Sequence, residues 1–261
     1  MPVRNPDLAG LLTPVSAIAR KAGEEILKFH GTDFEVRSKA DRSPVTDADE
    51  AAERLILAEL ESLTPDIPIV SEEAAAAGHV PDVAGKRFWA VDPLDGTKEF
   101  IRHSGEFCVN IGLIEDGRPV LGVLHVPTLH VTYSAAGPGT AMCEEEGAPA
   151  RAIAAREAPE DGVVVISSRS HGNDAELDRF LSNLQVKARL MTGSAVKFCK
   201  VASGEADLYP RFGRTSEWDT AAGHAILEAA GGAVLTVQGD EFLYGKPGFL
   251  NPEFIARGKA S

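Results

Sequence analysis

The chain has 261 residues, and its 26 Lys and Arg against 39 Asp and Glu give a net charge of −13. Hydrophobic residues make up 44% of the sequence, which is typical of a globular protein with a substantial core. The negative charge argues against nucleic-acid binding, because a phosphate backbone is bound by a positive surface. A negatively charged protein that binds a small phosphate needs a local positive group, and a bound metal cation can supply one.

The three cysteines are far apart in the sequence and form no C-x-x-C pair, which is typical of a reducing compartment. The N-terminal stretch lacks the continuous apolar segment of a signal peptide. No stretch approaches the about 20 apolar residues of a membrane span. We therefore predict a cytoplasmic protein, and a loose association with the cytoplasmic face of the inner membrane stays open.

Apolar residues recur at helical spacing over residues 7–30 and 46–63, which predicts two helices in the first half of the chain. Short apolar runs at 67–70 and 87–91 predict strands, and an acidic motif follows each of them. Alternating apolar residues over 107–135, interrupted by turn residues, predict an antiparallel meander. The first half therefore has an α+β pattern.

Beyond about residue 160, short strands and helices alternate. The predicted strands cover 163–166, 187–191 and 207–209, and the predicted helices cover 174–184, 195–203 and 220–230. Such alternation is typical of α/β structure. We predict a layered α/β protein, with an α+β half over 1–155 and an α/β half over 156–261.

The most informative motif covers residues 92–97 and has the sequence DPLDGT. A predicted strand leads into it, and its proline and glycine favour a turn. On such a turn the carboxylates of Asp92 and Asp95 can converge, with the carbonyl of Leu94 between them. Hard oxygen ligands of this kind are those that Mg²⁺ prefers. The glycine lets backbone N–H groups approach a phosphate, and a helix that begins near Thr97 would offer its N-terminus to the same anion.

Three further acidic motifs are ambiguous when each is considered alone. Glu72 and Glu73 follow a predicted strand, where adjacent acids are usually only solvated. Residues 46–50 match a helix-capping pattern, and Ser216-x-x-Asp219 matches one at the start of the last helix. The 92–97 motif itself could be an ordinary turn. The informative feature is the joint occurrence of all four motifs in this order.

Together these motifs resemble the inositol monophosphatase superfamily. The resemblance is carried by SPVTD at 43–47, SEE at 71–73, DPLDGT at 92–97 and WDTAAG at 218–223. Within the superfamily, the chain resembles the CysQ branch, the 3'(2'),5'-bisphosphate nucleotidases. That closer resemblance lies in DGTKEF at 95–100, SRSH at 168–171, GSAVKFC at 193–199 and YPRFG at 209–213.

The resemblance covers about residues 8–255 and implies a five-layered αβαβα sandwich and a phosphatase that uses two or three Mg²⁺ ions. It implies that Gly96 and Thr97 hold the scissile phosphate, and that Asp47, Glu72 and Thr97 position the attacking water. It implies metal ligation by carboxylates and one backbone carbonyl: Glu72, Asp92, Leu94, Asp95 and Asp219.

The closer resemblance implies removal of the 3'-phosphate from 3'-phosphoadenosine 5'-phosphate, a by-product of sulfate activation, together with sensitivity to lithium. Lys197 and Arg211 suit a dianionic 5'-phosphate, although an exposed helix lysine and a structural loop arginine are the simpler interpretations. The predicted substrate contacts combine the metal motifs with residues of the second half: Glu72, Leu94, Asp95, Gly96, Thr97, His171, Ser194, Lys197, Arg211 and Asp219. The oligomeric state stays open.

Three alternatives to this hypothesis remain. The DPLDGT motif differs by one residue in spacing from the DxDGT signature of haloacid-dehalogenase-type phosphatases, in which an aspartate attacks phosphorus. An enzyme of the same fold could instead hydrolyse inositol monophosphate or fructose 1,6-bisphosphate. A catalytically silent phosphate-binding module is the third alternative, because fold alone does not establish catalysis.

Overall fold

The computed structural model describes residues 7–32, 34–39, 44–168 and 174–259. Seven α-helices lie in these ranges: α1 (Leu8–Leu27), α2 (Asp47–Leu63), α3 (Glu72–Ala76), α4 (Thr97–Ile101), α5 (Asp174–Leu181), α6 (Val196–Ala202) and α7 (Glu217–Ala229). The first seven strands are β1 (Val36–Ser38), β2 (Pro44–Thr46), β3 (Ile69–Ser71), β4 (Phe88–Asp95), β5 (Cys108–Glu115), β6 (Arg118–Val126) and β7 (Val131–Ala136). The remaining strands are β8 (Met142–Glu145), β9 (Arg151–Ala152), β10 (Val163–Ser168), β11 (Val186–Thr192), β12 (Leu208–Arg211), β13 (Ala233–Thr236) and β14 (Phe254–Arg257).

Two mixed sheets form the framework of the fold. Sheet I has seven strands in the order β3-β4-β5-β6-β7-β8-β9, and sheet II has five in the order β11-β10-β12-β14-β13. In sheet I, β3 is parallel to β4, and the other neighbours are antiparallel. In sheet II, β10 is parallel to β11 and β12, whereas β14 is antiparallel to β12 and β13.

The layers alternate between helices and sheets. The buried apolar faces of α1 and α2 pack on one side of sheet I, and α6 and α7 lie between the two sheets. Helix α5 forms the outer layer beside sheet II, where Asp178 accepts a hydrogen bond from Arg189 of β11 at 2.8 Å. The predicted αβαβα sandwich is therefore confirmed.

Helix α7 packs very close to sheet I because two strand positions in its path are glycines. A Cβ atom at Gly122 would lie 2.3 Å from the carbonyl oxygen of Ala222, and one at Gly112 would lie 2.7 Å from the Cβ of Ala221. A larger residue at either position would push the helix away from the sheet. These contacts fix the depth at which α7, with Asp219 in its first turn, lies between the sheets.

The differences between the predicted and observed elements have local causes. The last predicted helix begins at Glu217 rather than 220, because the first turn is closed by a capping box between Ser216 and Asp219. Strand β4 continues to Asp95, because it pairs with β5 on both sides of an irregularity after Asp92. Helices α3 and α4 are too short to show a period in the sequence. The boundary at 155 stays a prediction, and α7 of the second half shares a core with sheet I.

Candidate active site

Strand β3 ends at one edge of sheet I, beside the middle of its parallel neighbour β4. Ser71 of β3 lies opposite Val91 of β4, and the next residues are Glu72 and Asp92. Asp219 approaches them from the first turn of α7. One carboxylate oxygen from each of these three acids lies within 4.8 Å of the other two. The structure therefore brings three of the predicted metal ligands to one point.

The carboxylates of this cluster repel one another in a poorly solvated place. Burial raises the pKa of Asp92 well above its usual range, and the charges of Glu72 and the neighbouring aspartates add to the effect. Burial raises the pKa of Asp219 in the same way. A cation bound among these oxygens would favour their ionised forms. The charge distribution therefore suits a metal ion.

Asp95 lies outside the three-acid cluster and contacts the second half of the chain. Its Oδ2 accepts the backbone N–H of Ala195 and lies 3.5 Å from the side-chain nitrogen of Asn110. Burial raises the pKa of Asp95, while the positive charge of Lys197 and the hydrogen bond from Ala195 oppose that rise. Asp95 thus links the DPLDGT motif to the loop before α6.

Thr97 begins α4 beside the acidic cluster. Its hydroxyl oxygen lies 3.2 Å from Oδ1 of Asp49 and 3.2 Å from the carbonyl oxygen of Leu94. Asp49 is buried, and its Oδ2 accepts hydrogen bonds from the N–H and the hydroxyl of Thr46 at 2.8 and 2.5 Å. Burial raises the pKa of Asp49 to about 6. A carboxyl group with such a pKa beside a hydroxyl is suited to accepting a proton near neutral pH.

The structure gives Thr97 a different aspartate partner from the predicted one. The sequence motif points to Asp47, but this side chain is 41% exposed and accepts hydrogen bonds from Arg37 at 2.9 Å and from the N–H of Glu35 at 3.4 Å. Residues two apart on a helix point about 200° apart, so Asp47 and Asp49 face different sides of α2. Asp49 therefore replaces Asp47 as the candidate.

A capping motif marked Asp49 in the sequence, although its role in the site was missed. Thr46-x-x-Asp49 and Ser216-x-x-Asp219 both form capping boxes. The N–H of Ser216 donates to Asp219 at 2.8 Å, and the same carboxylate belongs to the acidic cluster. Capping and a place in the site are therefore compatible. The same interpretation of both motifs would have identified Asp49.

Gly96 separates β4 from α4 and has the left-handed backbone angle φ = 99°. A Cβ atom here would lie 3.0 Å from the carbonyl oxygen of Glu106. A glycine is therefore required both by the backbone angle and by the close approach of the neighbouring loop. Gly96 and Thr97 of this turn line the cleft.

Lys197 is buried rather than exposed on its helix, with 3% of its surface accessible. Its Nζ donates to the carbonyl oxygens of Ser194 and Thr192 and lies 5.3 Å from the ring centroid of Tyr209. Burial lowers the pKa of Lys197 to about 8, and the nearby Asp95 opposes the shift. The buried lysine also lines the cleft.

Arg211 lies at the end of β12 and is 9% exposed. Its guanidinium donates to the hydroxyl of Ser168 at 2.5 Å and to the carbonyl oxygen of Arg214 at 3.2 Å. Ser194 has a left-handed φ of 48° and lines the same part of the cleft. Of the predicted nucleotide contacts in the second half, His171 lies outside the described residues.

The cleft has two parts that meet at the acidic cluster. The residues that line both parts are Glu72, Asp95, Gly96, Thr97, Arg211, Thr215 and Asp219. The carboxylates of Glu72, Asp92, Asp95 and Asp219 form what we call the acidic floor. One part, the basic wing, is defined by Ser194, Lys197 and Arg211, and the other is bordered by Trp218 and Phe249. Cationic and anionic groups thus lie in one continuous cleft.

Lys39 is a residue of this site that no sequence motif marked. Its Nζ lies 2.7 Å from a carboxylate oxygen of Glu72 and 2.7 Å from one of Glu73. The Lys39 side chain is 8% exposed, so the ion pairs are shielded from solvent. These two carboxylates hold the ammonium at high pKa, against the effect of burial. Lys39 therefore contributes positive charge at the edge of the acidic floor.

In the described part of the chain, no helix combines the length and the hydropathy needed to cross a bilayer. Peripheral membrane association and a cytoplasmic location stay predictions.

Comparisons with known proteins cover nearly the whole chain. A 3'(2'),5'-bisphosphate nucleotidase CysQ of Escherichia coli strain K12 is 49% identical over 247 residues, which cover 94% of this chain and 98% of that protein. A CysQ structure from Bacteroides thetaiotaomicron, described as a bacterial member of the inositol monophosphatase family, is 36% identical, with a TM-score of 0.80 over 95% of this chain and 97% of that one.

A more distant solved structure, an IMPase from Thermotoga maritima, is 27% identical with a TM-score of 0.74, and the match covers 92% of this chain and 89% of that one. The model of the inositol monophosphatase family matches residues 7–259. A family match over this range includes every described element and all four acidic motifs. The chain therefore belongs to the inositol monophosphatase family.

Proposed function

We propose that this chain is a Mg²⁺-dependent 3'(2'),5'-bisphosphate nucleotidase that hydrolyses 3'-phosphoadenosine 5'-phosphate to AMP and phosphate. The observation that carries this proposal is the continuity of the acidic floor with the basic wing in one cleft. A substrate with two phosphates fits such a cleft, because one phosphate needs a metal-binding floor and the other a cationic wall. The bisphosphate nucleotidases at 49% identity support the same substrate class.

The donors of the acidic floor fit magnesium, because they are oxygen atoms of carboxylates and of one backbone carbonyl. The proposed ligands are Glu72, Asp92, Leu94, Asp95 and Asp219. Two or three Mg²⁺ ions, when bound, would neutralise the phosphate and stabilise charge in an in-line displacement. The buried, mutually repelling carboxylates described above support this assignment.

The side chains of Asp49 and Thr97 would orient the attacking water, and Glu72 lies on the same floor. Asp49 would accept a hydrogen bond from the hydroxyl of Thr97, so that the oxygen of Thr97 can accept one from the attacking water. Water would attack phosphorus as the bond to the 3'-oxygen breaks. The proton that the water loses would pass through Thr97 to Asp49, and a solvent water would protonate the leaving 3'-oxygen. The backbone of Gly96 and Thr97 would hold the phosphate oxygens.

The basic wing would bind the 5'-phosphate through charge-assisted hydrogen bonds from Lys197 and Arg211, with Ser194 and His171 as further contacts. Lys197 and Arg211 are already held in place by neighbouring carbonyl and hydroxyl groups. Preorganised side chains lose little freedom when a ligand binds, so each contact contributes more to affinity. Selection of the nucleotide is therefore assigned to the second half of the chain.

A substrate panel scored by phosphate release tests this proposal. With Mg²⁺, 3'-phosphoadenosine 5'-phosphate should be the preferred substrate over inositol 1-phosphate and fructose 1,6-bisphosphate, and activity should vanish when a chelator is added. A preference for either sugar phosphate would assign the chain to that specificity. Trapping of a phospho-aspartate would favour the haloacid-dehalogenase-type mechanism, and no phosphate release from any ester would indicate a binding module.

A further inference from the structure

Helix α3 begins with Glu72 but has no cap of its own. Its N-cap residue, Ser71, makes no side-chain hydrogen bond to the helix. Helices α2 and α7, which carry Asp49 and Asp219, each begin with a complete capping box. A helix of five residues, such as α3, is not stable by itself. The position of Glu72 therefore depends on a contact from elsewhere in the fold.

Glu53 of α2 makes that contact. Its Oε1 accepts the backbone N–H of Glu73 at 3.1 Å and that of Ala74 at 3.1 Å. These are the second and third residues of α3, and their N–H groups are the ones that an N-cap side chain would bind. A carboxylate at this end also interacts favourably with the helix dipole. Glu53 thus acts as the missing cap, supplied by another helix.

Glu53 follows Asp49 by four residues, so the two side chains project from one face of α2. Asp49 contacts the hydroxyl of Thr97, and Glu53 contacts the turn that begins with Glu72. One rigid helix therefore connects the water-orienting side of the acidic floor to the metal-binding side. Loss of the Glu53 contact would release the first turn of α3. Asp49 would stay in place.

We propose that Glu53 is a positioning residue that holds Glu72 in its metal-binding place through the first turn of α3. The proposal rests on the proposed function in one respect, namely that Mg²⁺ binds at Glu72. It assigns Glu53 no contact with substrate or metal. Its effect on catalysis is indirect and arises from the geometry of the metal centre.

The test measures Mg²⁺ binding by calorimetry on the full chain without substrate, beside the Tm of the metal-free protein. Glu53→Met keeps the side-chain length and removes the acceptor, so Mg²⁺ affinity should fall about 3- to 30-fold, the range spanned by loss of a helix cap. Glu53→Gln keeps an acceptor oxygen and should stay within about threefold of wild type, since its hydrogen bonds lose only their charge. The matched control is Glu59→Met, because Glu59 lies on the same helix and pairs with Lys21 at 2.8 Å.

Equal Mg²⁺ affinity in Glu53→Met and wild type would overturn the proposal, as would an equal loss in Glu59→Met. A lower Tm with unchanged Mg²⁺ affinity would show a merely structural role and would also overturn it. If Glu53→Met does not fold, amide hydrogen exchange decides: the Glu73 and Ala74 amides should be protected in wild type, and rapid exchange would contradict the contact. Failure of wild type to bind Mg²⁺ would instead refute the metal assignment in the proposed function.

Discussion

The acidic floor and the basic wing of the cleft are built in different ways. The acids lie in or next to strands and in the first turns of helices: Asp92 lies in β4 at the start of its irregularity, and Asp219 lies in the first turn of α7. The cations are buried side chains whose surroundings combine separate parts of the chain. Arg211 donates to Ser168, 43 positions away in the sequence. Lys197 donates to carbonyls of the loop just before its helix and lies over the ring of Tyr209 in β12. Local signals therefore mark the floor, whereas tertiary packing creates the wing. Mutations in the two regions should therefore affect different properties: turnover for the floor and substrate preference for the wing.

The largest effect should follow a change in the middle of the acidic floor. Asp92→Asn removes a charge from the three-acid cluster, so turnover should fall at least about 10³-fold, the upper range for loss of one major electrostatic group. The metal-free protein should keep its Tm, because the lost carboxylate is buried among like charges. Phosphate release and thermal unfolding measure the two quantities. A folded variant with near wild-type turnover would refute the role of the floor.

A pair of variants tests which aspartate of α2 acts together with Thr97. Asp49→Asn removes the candidate proton acceptor beside Thr97, so kcat should fall about 10²-fold. Asp47→Asn alters an exposed side chain paired with Arg37, and kcat should change less than about twofold. The reverse order of effects would return the water-positioning role to Asp47 and contradict the role inferred from the contact between Asp49 and Thr97.

Changes in the basic wing should depend on the substrate. Lys197→Met and Arg211→Met each remove one charged donor, so kcat/KM for 3'-phosphoadenosine 5'-phosphate should fall by about 1.5–3 kcal/mol. Hydrolysis of a small phosphate ester without a 5'-phosphate should hardly change, because the floor is intact. Equal losses on both substrates would mean that these residues support the fold or the metal centre, and the division between floor and wing would not hold.

The smallest effect concerns the pH dependence of stability. The pKa of Asp49 is about 6 in the folded protein against the usual 3.8, so between these values the folded state binds a proton that the unfolded chain has released. Asp49 therefore lowers the free energy of unfolding progressively as pH rises from about 4 through 6. Asp49→Asn removes this pH-dependent loss of stability.

Thermal unfolding without divalent cations gives the measurement. The Tm of Asp49→Asn minus the Tm of wild type should be larger at pH 8 than at pH 4.5. In a chain of this size, each kcal/mol of change in the free energy of unfolding shifts Tm by about 2–4 °C. Added Mg²⁺ should reduce the difference, because a cation favours the ionised carboxylates of the floor. A difference that does not vary with pH would mean that Asp49 titrates normally.

The same contrast explains how far the sequence could be interpreted. The DPLDGT motif and the apolar run before it predicted that Asp92 follows a strand and precedes a turn, because strands and turns have local signals. The strand itself continues to Asp95, across an irregularity that depends on its pairing with β5. The burial of Lys197 could not be predicted, since its surroundings come from the loop at Thr192–Ser194 and from β12. Lys39 and Glu53 were missed because their partners on α3 lie 20 to 34 positions away, and a helix of five residues leaves no periodic signal.

We propose that one cleft hydrolyses the 3'-phosphate on its acidic floor and recognises the 5'-phosphate in its basic wing. The most direct test compares kcat/KM of the wild-type chain, with Mg²⁺, for 3'-phosphoadenosine 5'-phosphate and for 3'-AMP, which lacks only the 5'-phosphate. We expect kcat/KM to be at least about tenfold higher for the bisphosphate, which corresponds to one charged hydrogen bond, and 5'-AMP to be its sole nucleotide product. Equal use of the two substrates, or release of the 5'-phosphate, would contradict it.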